Sequence, residues 1–135
     1  MILLTGGKGP NDNTIQIRKN KTMTKDELNE ILKLHKMWMN GEEGGVRANL
    51  WLVDLRGMDL SGMDFRGVNM LQTFLCHANL RGANLSGVNL CEASLYGADL
   101  TGAILADACL YRADLTNAIT TDADFTDANM TDIKA

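Results

Sequence analysis

An all-β solenoid with an α-helical cap at its N-terminal side is the fold class that this 135-residue sequence predicts. Three observations carry it. From Ala48 to Asp132 a five-residue unit recurs seventeen times without a register slip. A helix signature stands just upstream of the first unit. Aromatic residues are only 5% of a chain that is 45% hydrophobic, which suits a narrow interior filled by Leu and Ala.

Fixed periods set architecture, so the repeat comes first. Every fifth residue from Leu50 to Met130 is apolar except Thr120. Twelve of these seventeen are Leu, joined by Phe65, Phe125, Met70 and Met130. Two residues before each stands a small or apolar residue, eleven times Ala. Asp or Asn fills the position between them in twelve units. A period of five matches neither the 3.6 of a helix face nor the 2 of a strand. If both apolar positions point inward, the chain must turn once per unit, and four turns close a coil of about twenty residues. Residues twenty apart then stack, as in the column Leu50, Met70, Leu90, Leu110, Met130. At ~4.8 Å per layer, a little over four coils stand about 20 Å tall.

Units such as Ala78-Asn79-Leu80-Arg81-Gly82 and Ala98-Asp99-Leu100-Thr101-Gly102 fit the consensus A(D/N)LXX. On these residues the chain resembles the pentapeptide-repeat proteins, over 85 of its 135 residues. The resemblance implies a right-handed quadrilateral β-helix. It says little about function, because folds host many functions.

Upstream of the repeat, residues 1–22 read as an N-terminal tail with one short strand where Thr14 to Arg18 alternates. Gly6-Gly7-Lys8-Gly9-Pro10 reads as loop and lacks the spacing of a phosphate-binding loop. Lys19-Asn20-Lys21 is a solvated basic cluster, and Met23 offers an internal start. Residues 23–45 read as a capping helix and Gly-rich link. Thr24-Lys25-Asp26-Glu27 is a capping box that starts a helix at about Lys25, and Gly41 stops it after Asn40. Leu28, Ile31, Leu32, His35 and Met39 share one stripe, beside Trp38. This face is the expected cover for the open first coil, with His35 a packed histidine rather than a ligand. Residues 46–135 form the β-helix. Its far end has no terminal helix, and Thr120 is a defect in the inward set.

The net charge of −4 is uneven. Residues 1–60 carry nine basic and eight acidic groups, whereas residues 61–135 carry four and nine. An acidic half argues against direct nucleic-acid binding. No stretch of eighteen apolar residues predicts a membrane span, and Met1-Ile2-Leu3-Leu4 is too short for a signal-peptide core. Cys76, Cys91 and Cys109 are odd in number and lack metal-type spacing, so reduced thiols and a cytoplasmic location are expected.

Two outward features are candidates for function. The residues following the first inward column are Trp51, Leu71, Cys91, Tyr111 and Thr131, with Phe74 and Tyr96 nearby. Such a ridge marks a partner-binding or dimer surface, unless the N-terminal segment (Ile15, Ile17 or the helix face) covers it; both readings stay open. Asp107, Asp122, Asp127 and Asp132 stand where earlier units carry Gly and form an acidic surface, together with Asp114 and Asp124 in the usual Asp/Asn slot. His35 and His77 occupy unrelated places, and no nucleophile has an evident base, so no catalytic or metal residue, cofactor or small-molecule substrate is expected. The function expected is a non-enzymatic protein-binding module, an inhibitor of a bacterial or phage enzyme. The resemblance implies one alternative, a DNA-mimic modulator of a topoisomerase such as gyrase, as some pentapeptide-repeat proteins are; a structural or assembly protein is the other.

Overall fold

The structure is a computed structural model that describes the backbone of residues 2–6 and 13–17 and the whole of residues 22–135. Two strands, β1 (Ile2–Gly6) and β2 (Asn13–Ile17), precede the helix α1 (Lys25–Met39) and the strand β3 (Arg47–Asn49). The side chains of Ile15 and Ile17, most of the Gly6–Pro10 loop, and Lys19-Asn20-Lys21 lie outside the described residues.

Beyond β3 the chain repeats one local geometry. The amide three residues after each inward side chain closes a turn onto that residue's carbonyl, as in Val53 N to Leu50 O at 3.0 Å. The residue two after it has a positive φ in every unit: glycine in seven, from Gly57 to Gly102, and in ten another residue, from Leu52 to Asp132. This left-handed corner turns the chain. The Asp or Asn before the inward residue steadies the corner by accepting the amide two residues on. Asn49 takes that of Trp51 at 3.1 Å and Asp99 that of Thr101 at 3.0 Å. These are Asx turns, which give the consensus Asp/Asn its structural role.

Four such turns bring the chain back on itself. Every bridge between units is parallel and joins residues twenty apart, as in the run Asn49–Asn69–Asn89–Cys109–Asn129. Amides hydrogen-bond to the carbonyl nineteen residues on, for example Leu50 N to Asn69 O at 2.7 Å and Leu100 N to Ile119 O at 2.7 Å. Leu55 to Leu110 form a continuous buried interior with their Ala and Val neighbours. Thr73 is the one buried polar residue in that interior, and its hydroxyl donates to Leu50 O at 2.8 Å. Phe65 is fully buried, whereas Phe125 is only half-buried. Thr120 is exposed in the last coil, so its hydroxyl meets solvent and needs no internal partner.

The helix packs on the first coil. Thr24 accepts the Glu27 amide at 3.2 Å, and its hydroxyl meets the Glu27 carboxylate at 3.1 Å. Leu28 and Ile31 are fully buried in the same core as Leu50, Leu55 and Leu60. Leu32 is only partly buried, and Met39 is exposed. α1 ends one residue short of Asn40, and Gly41 follows in the left-handed region. The return link lies against the helix itself: a Cβ on Gly45 would stand 2.3 Å from the Trp38 amide nitrogen. Upstream, β2 pairs in parallel with β3, β1 adds antiparallel to β2, and Thr22 bridges Asp54. The segment before the helix therefore holds two strands and extends the stack above the first coil. The β2–β3 partners lie thirty-three residues apart in sequence, so their pairing leaves no local signal.

Replacing Leu85 by Ala leaves a cavity in the middle of the stack, where the rigid ladder cannot collapse. A loss of about 2–5 kcal/mol is expected in chemical denaturation. An equal effect from Ser86→Ala, on the outward side, would contradict the register.

Candidate functional site

The twenty-residue register places Trp51, Leu71, Cys91 and Tyr111 one above another on the outside of the coil. Trp51 is 40% exposed, Phe74 38% and Tyr96 38%, while Leu71 and Tyr111 are partly buried. These side chains are held in place. The Trp51 indole donates to Gln72 at 3.1 Å, and Gln72 in turn donates to Glu92 at 3.3 Å. Tyr96 meets the edge of His77 at 5.5 Å, and its hydroxyl accepts from Asn117 at 3.1 Å. Arg112 lies over the Tyr111 ring at 5.0 Å. Between Phe74 and Leu52 opens a recess of about 220 Å³, rimmed by Asp54 and Arg56. Ile104 and Ile119, exposed on two other sides of the coil, were not singled out from the sequence.

In this ridge the expectation of reduced cysteines fails. Cys91 and Cys109 form a disulfide, Cα to Cα 5.6 Å, and Cys76 is the free thiol. The geometry follows from the coil. The residue after an inward Leu lies beside the residue before the inward Leu of the next coil, eighteen positions on. The same offset brings Cys76 Sγ to 2.9 Å from Ser94 Oγ and Arg81 to 3.1 Å from Asp99. The separation of eighteen was visible in the sequence, but its meaning depends on knowing which outward positions adjoin.

Asp107, Asp122, Asp127 and Asp132 are exposed, and each occupies a left-handed corner with φ between 55° and 60°. Asp and Asn tolerate this conformation better than other non-glycine residues. Their placement thus answers a backbone demand, the same one that glycine meets in earlier units. Asp122, Asp127 and Asp132 mark successive corners of the last coil, and Asp107 stacks over Asp127. Asp114 and Asp124 act on the backbone too, accepting the amides of Thr116 and Thr126 at 2.9 Å each. The Thr126 hydroxyl and amide hold the Asp124 carboxyl below the usual carboxylate range.

His35 ties the helix to the first coil. Its Nδ1 accepts from the Ala48 amide at 3.0 Å, so the Nε2 proton is the one donated to Arg66 O at 2.7 Å. Trp38 stacks on the ring at 5.4 Å. Burial lowers the His35 pKa, Arg47 lowers it further, and the Arg66 carbonyl and Asp64 oppose them. Alongside runs a groove of about 370 Å³ lined by Leu32, Lys33, Met39, Met63 and Arg66, among others. Among the described residues there is no cluster of three or more His, Cys, Asp or Glu suited to a metal, and no helix long and apolar enough to cross a membrane.

The family described as Pentapeptide repeats (8 copies) matches residues 46–82, 75–107 and 108–132. The chain belongs to the pentapeptide-repeat family. Solved structures of its relatives agree. A pentapeptide-repeat protein from the Arabidopsis thaliana thylakoid lumen is 42% identical at a TM-score of 0.57, over 58% of this chain and 54% of that one. The match thus spans about half of the lumenal protein's length. One from Nostoc PCC 7120 is 37% identical at 0.50, over 68% and 72%. QnrB1, a plasmid-mediated fluoroquinolone resistance protein, is 25% identical at 0.55, over 63% and 44%. No curated protein matches the chain by sequence. The lumenal relative overturns the cytoplasmic assignment, because this repeat is at home outside the cytoplasm as well.

Asp107→Gly should keep or raise stability, whereas Asp107→Val, branched and at φ 60°, should lower it by about 1 kcal/mol in thermal or urea unfolding. Equal effects would mean that the carboxylate, not the backbone, matters there. For His35 the folded pKa lies below the unfolded one, so the unfolded chain binds the extra proton. The stability its neutral form contributes is full above pH ~6.5 and is lost as pH falls through the lowered folded value. Urea midpoints of the wild type should drop between pH 7.5 and 5, and those of His35→Gln should change less over that window.

Proposed function

We propose that this pentapeptide-repeat chain is a non-enzymatic protein-binding module, an inhibitor or modulator that presents Trp51, Leu71, Phe74, Tyr96 and Tyr111 on a right-handed quadrilateral β-helix. One observation carries the reading: large apolar side chains stand outside a coil whose geometry asks only for small or polar residues there. On the other sides, the residue directly after the inward one is mostly Ser, Thr or Arg. Burying an exposed aromatic contributes roughly 1.5–3 kcal/mol, so a surface that keeps several of them exposed fits a partner. The recess beside Phe74 offers a socket with a polar rim of Asp54 and Arg56, the anatomy of an interface hot spot. A neighbour built on the same repeat, QnrB1, is a plasmid-mediated fluoroquinolone resistance protein.

The DNA-mimic reading draws less support. Three of the four outlying carboxylates circle the last coil instead of running along the rod, and a 20 Å stack matches only about six base pairs at 3.4 Å each. A photo-crosslinking residue placed at position 71 in cells should capture one discrete protein, which is a second copy of the chain if the ridge serves a dimer. Tyr111→Arg should abolish the adduct. No adduct, or one indifferent to Tyr111→Arg, would refute the ridge as a binding surface.

A further inference from the structure

We propose that the Cys91–Cys109 bond is a thiol–disulfide exchange site, approached over the ridge by the active-site face of a protein dithiol oxidoreductase. The proposal rests on the ridge being a protein-binding surface and names the class of partner.

Three observations converge on it. First, the bond lies within the apolar column, with Leu71 one coil before Cys91 and Tyr111 one coil after. Both cysteines are partly accessible, and neither is sealed in the core. Second, the fold does not require a covalent link at this offset. Cys76 and Ser94 occupy the equivalent positions on the next corner with a thiol–hydroxyl contact of 2.9 Å, and Arg81 and Asp99 do so with an ion pair. Third, Cys109 departs from the rule of its own column. Asn49, Asn69, Asn89 and Asn129 each accept the amide two residues on, and a cysteine at 109 gives up that carboxamide for the cross-link. A residue that abandons a local stabilising role in a repeat that would stand without the link fits a chemical role.

The apolar flanks select a protein reductant. A small hydrophilic dithiol gains nothing from Leu71 and Tyr111, whereas the surface around an oxidoreductase's reactive thiol can bury them. In the exchange, the partner's thiolate attacks one sulfur, the Cys91–Cys109 bond breaks, and the displaced sulfur takes up a proton. The partner's second thiolate then attacks the mixed disulfide and releases the other cysteine as a thiol. Two electrons and two protons pass to this chain, and the partner dithiol becomes a disulfide.

The test follows loss of the bond by maleimide labelling, with Cys76 as the one thiol reactive at the start. Thioredoxin should open the bond faster than dithiothreitol at equal dithiol concentration. Leu71→Lys/Tyr111→Lys should slow thioredoxin by about tenfold, the equivalent of 1.4 kcal/mol of docking, and leave the dithiothreitol rate unchanged. That unchanged rate also reports that the variant is folded around its disulfide. Three labelled thiols in the untreated protein would overturn the proposal. So would a thioredoxin rate no faster than dithiothreitol, or equal slowing of both reductants in the variant. If thioredoxin shows no advantage while the position-71 crosslink persists in Cys91→Ser/Cys109→Ser, the ridge still binds a protein and only the exchange site falls.

Discussion

The left-handed corner is the constraint on which the rest depends. One residue in five must hold a φ between 54° and 76° for the chain to turn, and all seventeen units from Leu52 to Asp132 comply. Once the corners repeat, a coil closes in twenty residues, and the amides of the inward and corner residues find carbonyls nineteen positions on. The inward residue and its i−2 neighbour then have no freedom. Leu fills the centre, and Ala stands where the wall of the next side leaves little room. Gly takes the corner in most early units, and Asp, Asn, Arg, Gln, Glu and His take others. Every such non-glycine corner carries a strain of about 1 kcal/mol or more that the hydrogen-bond ladder must offset, least for Asp and Asn.

Outward positions answer to a second rule, the offset of eighteen between coils. Three chemistries satisfy it here: a disulfide, a thiol–hydroxyl contact and an ion pair. Their contributions differ. The Arg81–Asp99 pair is more than half exposed on the arginine side, and such pairs contribute 0–1 kcal/mol. The disulfide restrains the unfolded chain over a separation of eighteen residues, which loop entropy places near 3 kcal/mol. The coil itself is indifferent to which is used, so the choice of residues on this surface carries information that the fold does not consume.

Much of the architecture was legible in the sequence because its determinants are local and repeated. The inward columns, the Asx slot, the Thr24–Glu27 box and the stop at Gly41 all follow from spacing. What escaped depended on three-dimensional adjacency. Cys91 and Cys109 pair only because an offset of eighteen, and not twenty, brings those outward positions together. β2 pairs with β3 across the whole of α1. The charge of Asp107, Asp122, Asp127 and Asp132 is visible in the sequence, whereas the left-handed φ that each of them holds is not. The ridge was legible as a departure from the repeat, although the partial burial of Leu71 and Tyr111 was not.

Rigidity gives the ridge its value. Association is opposed by the entropy of fixing side chains, roughly 0.5–1.5 kcal/mol for each one immobilised. Here much of that ordering already exists in the free protein. Gln72 pins the Trp51 indole, and Asn117 and His77 pin Tyr96. Gly97, with a positive φ and the His77 ring over it, has no space for a Cβ. The backbone beneath cannot shift without breaking ladder bonds on both sides. A partner meeting these aromatics therefore gains most of their apolar burial as net affinity. An equivalent set of side chains on a loop would lose part of it to ordering. A repeat that spends nearly all of its sequence on its own geometry needs only a few outward residues to specify a partner, because the scaffold has already fixed where they stand.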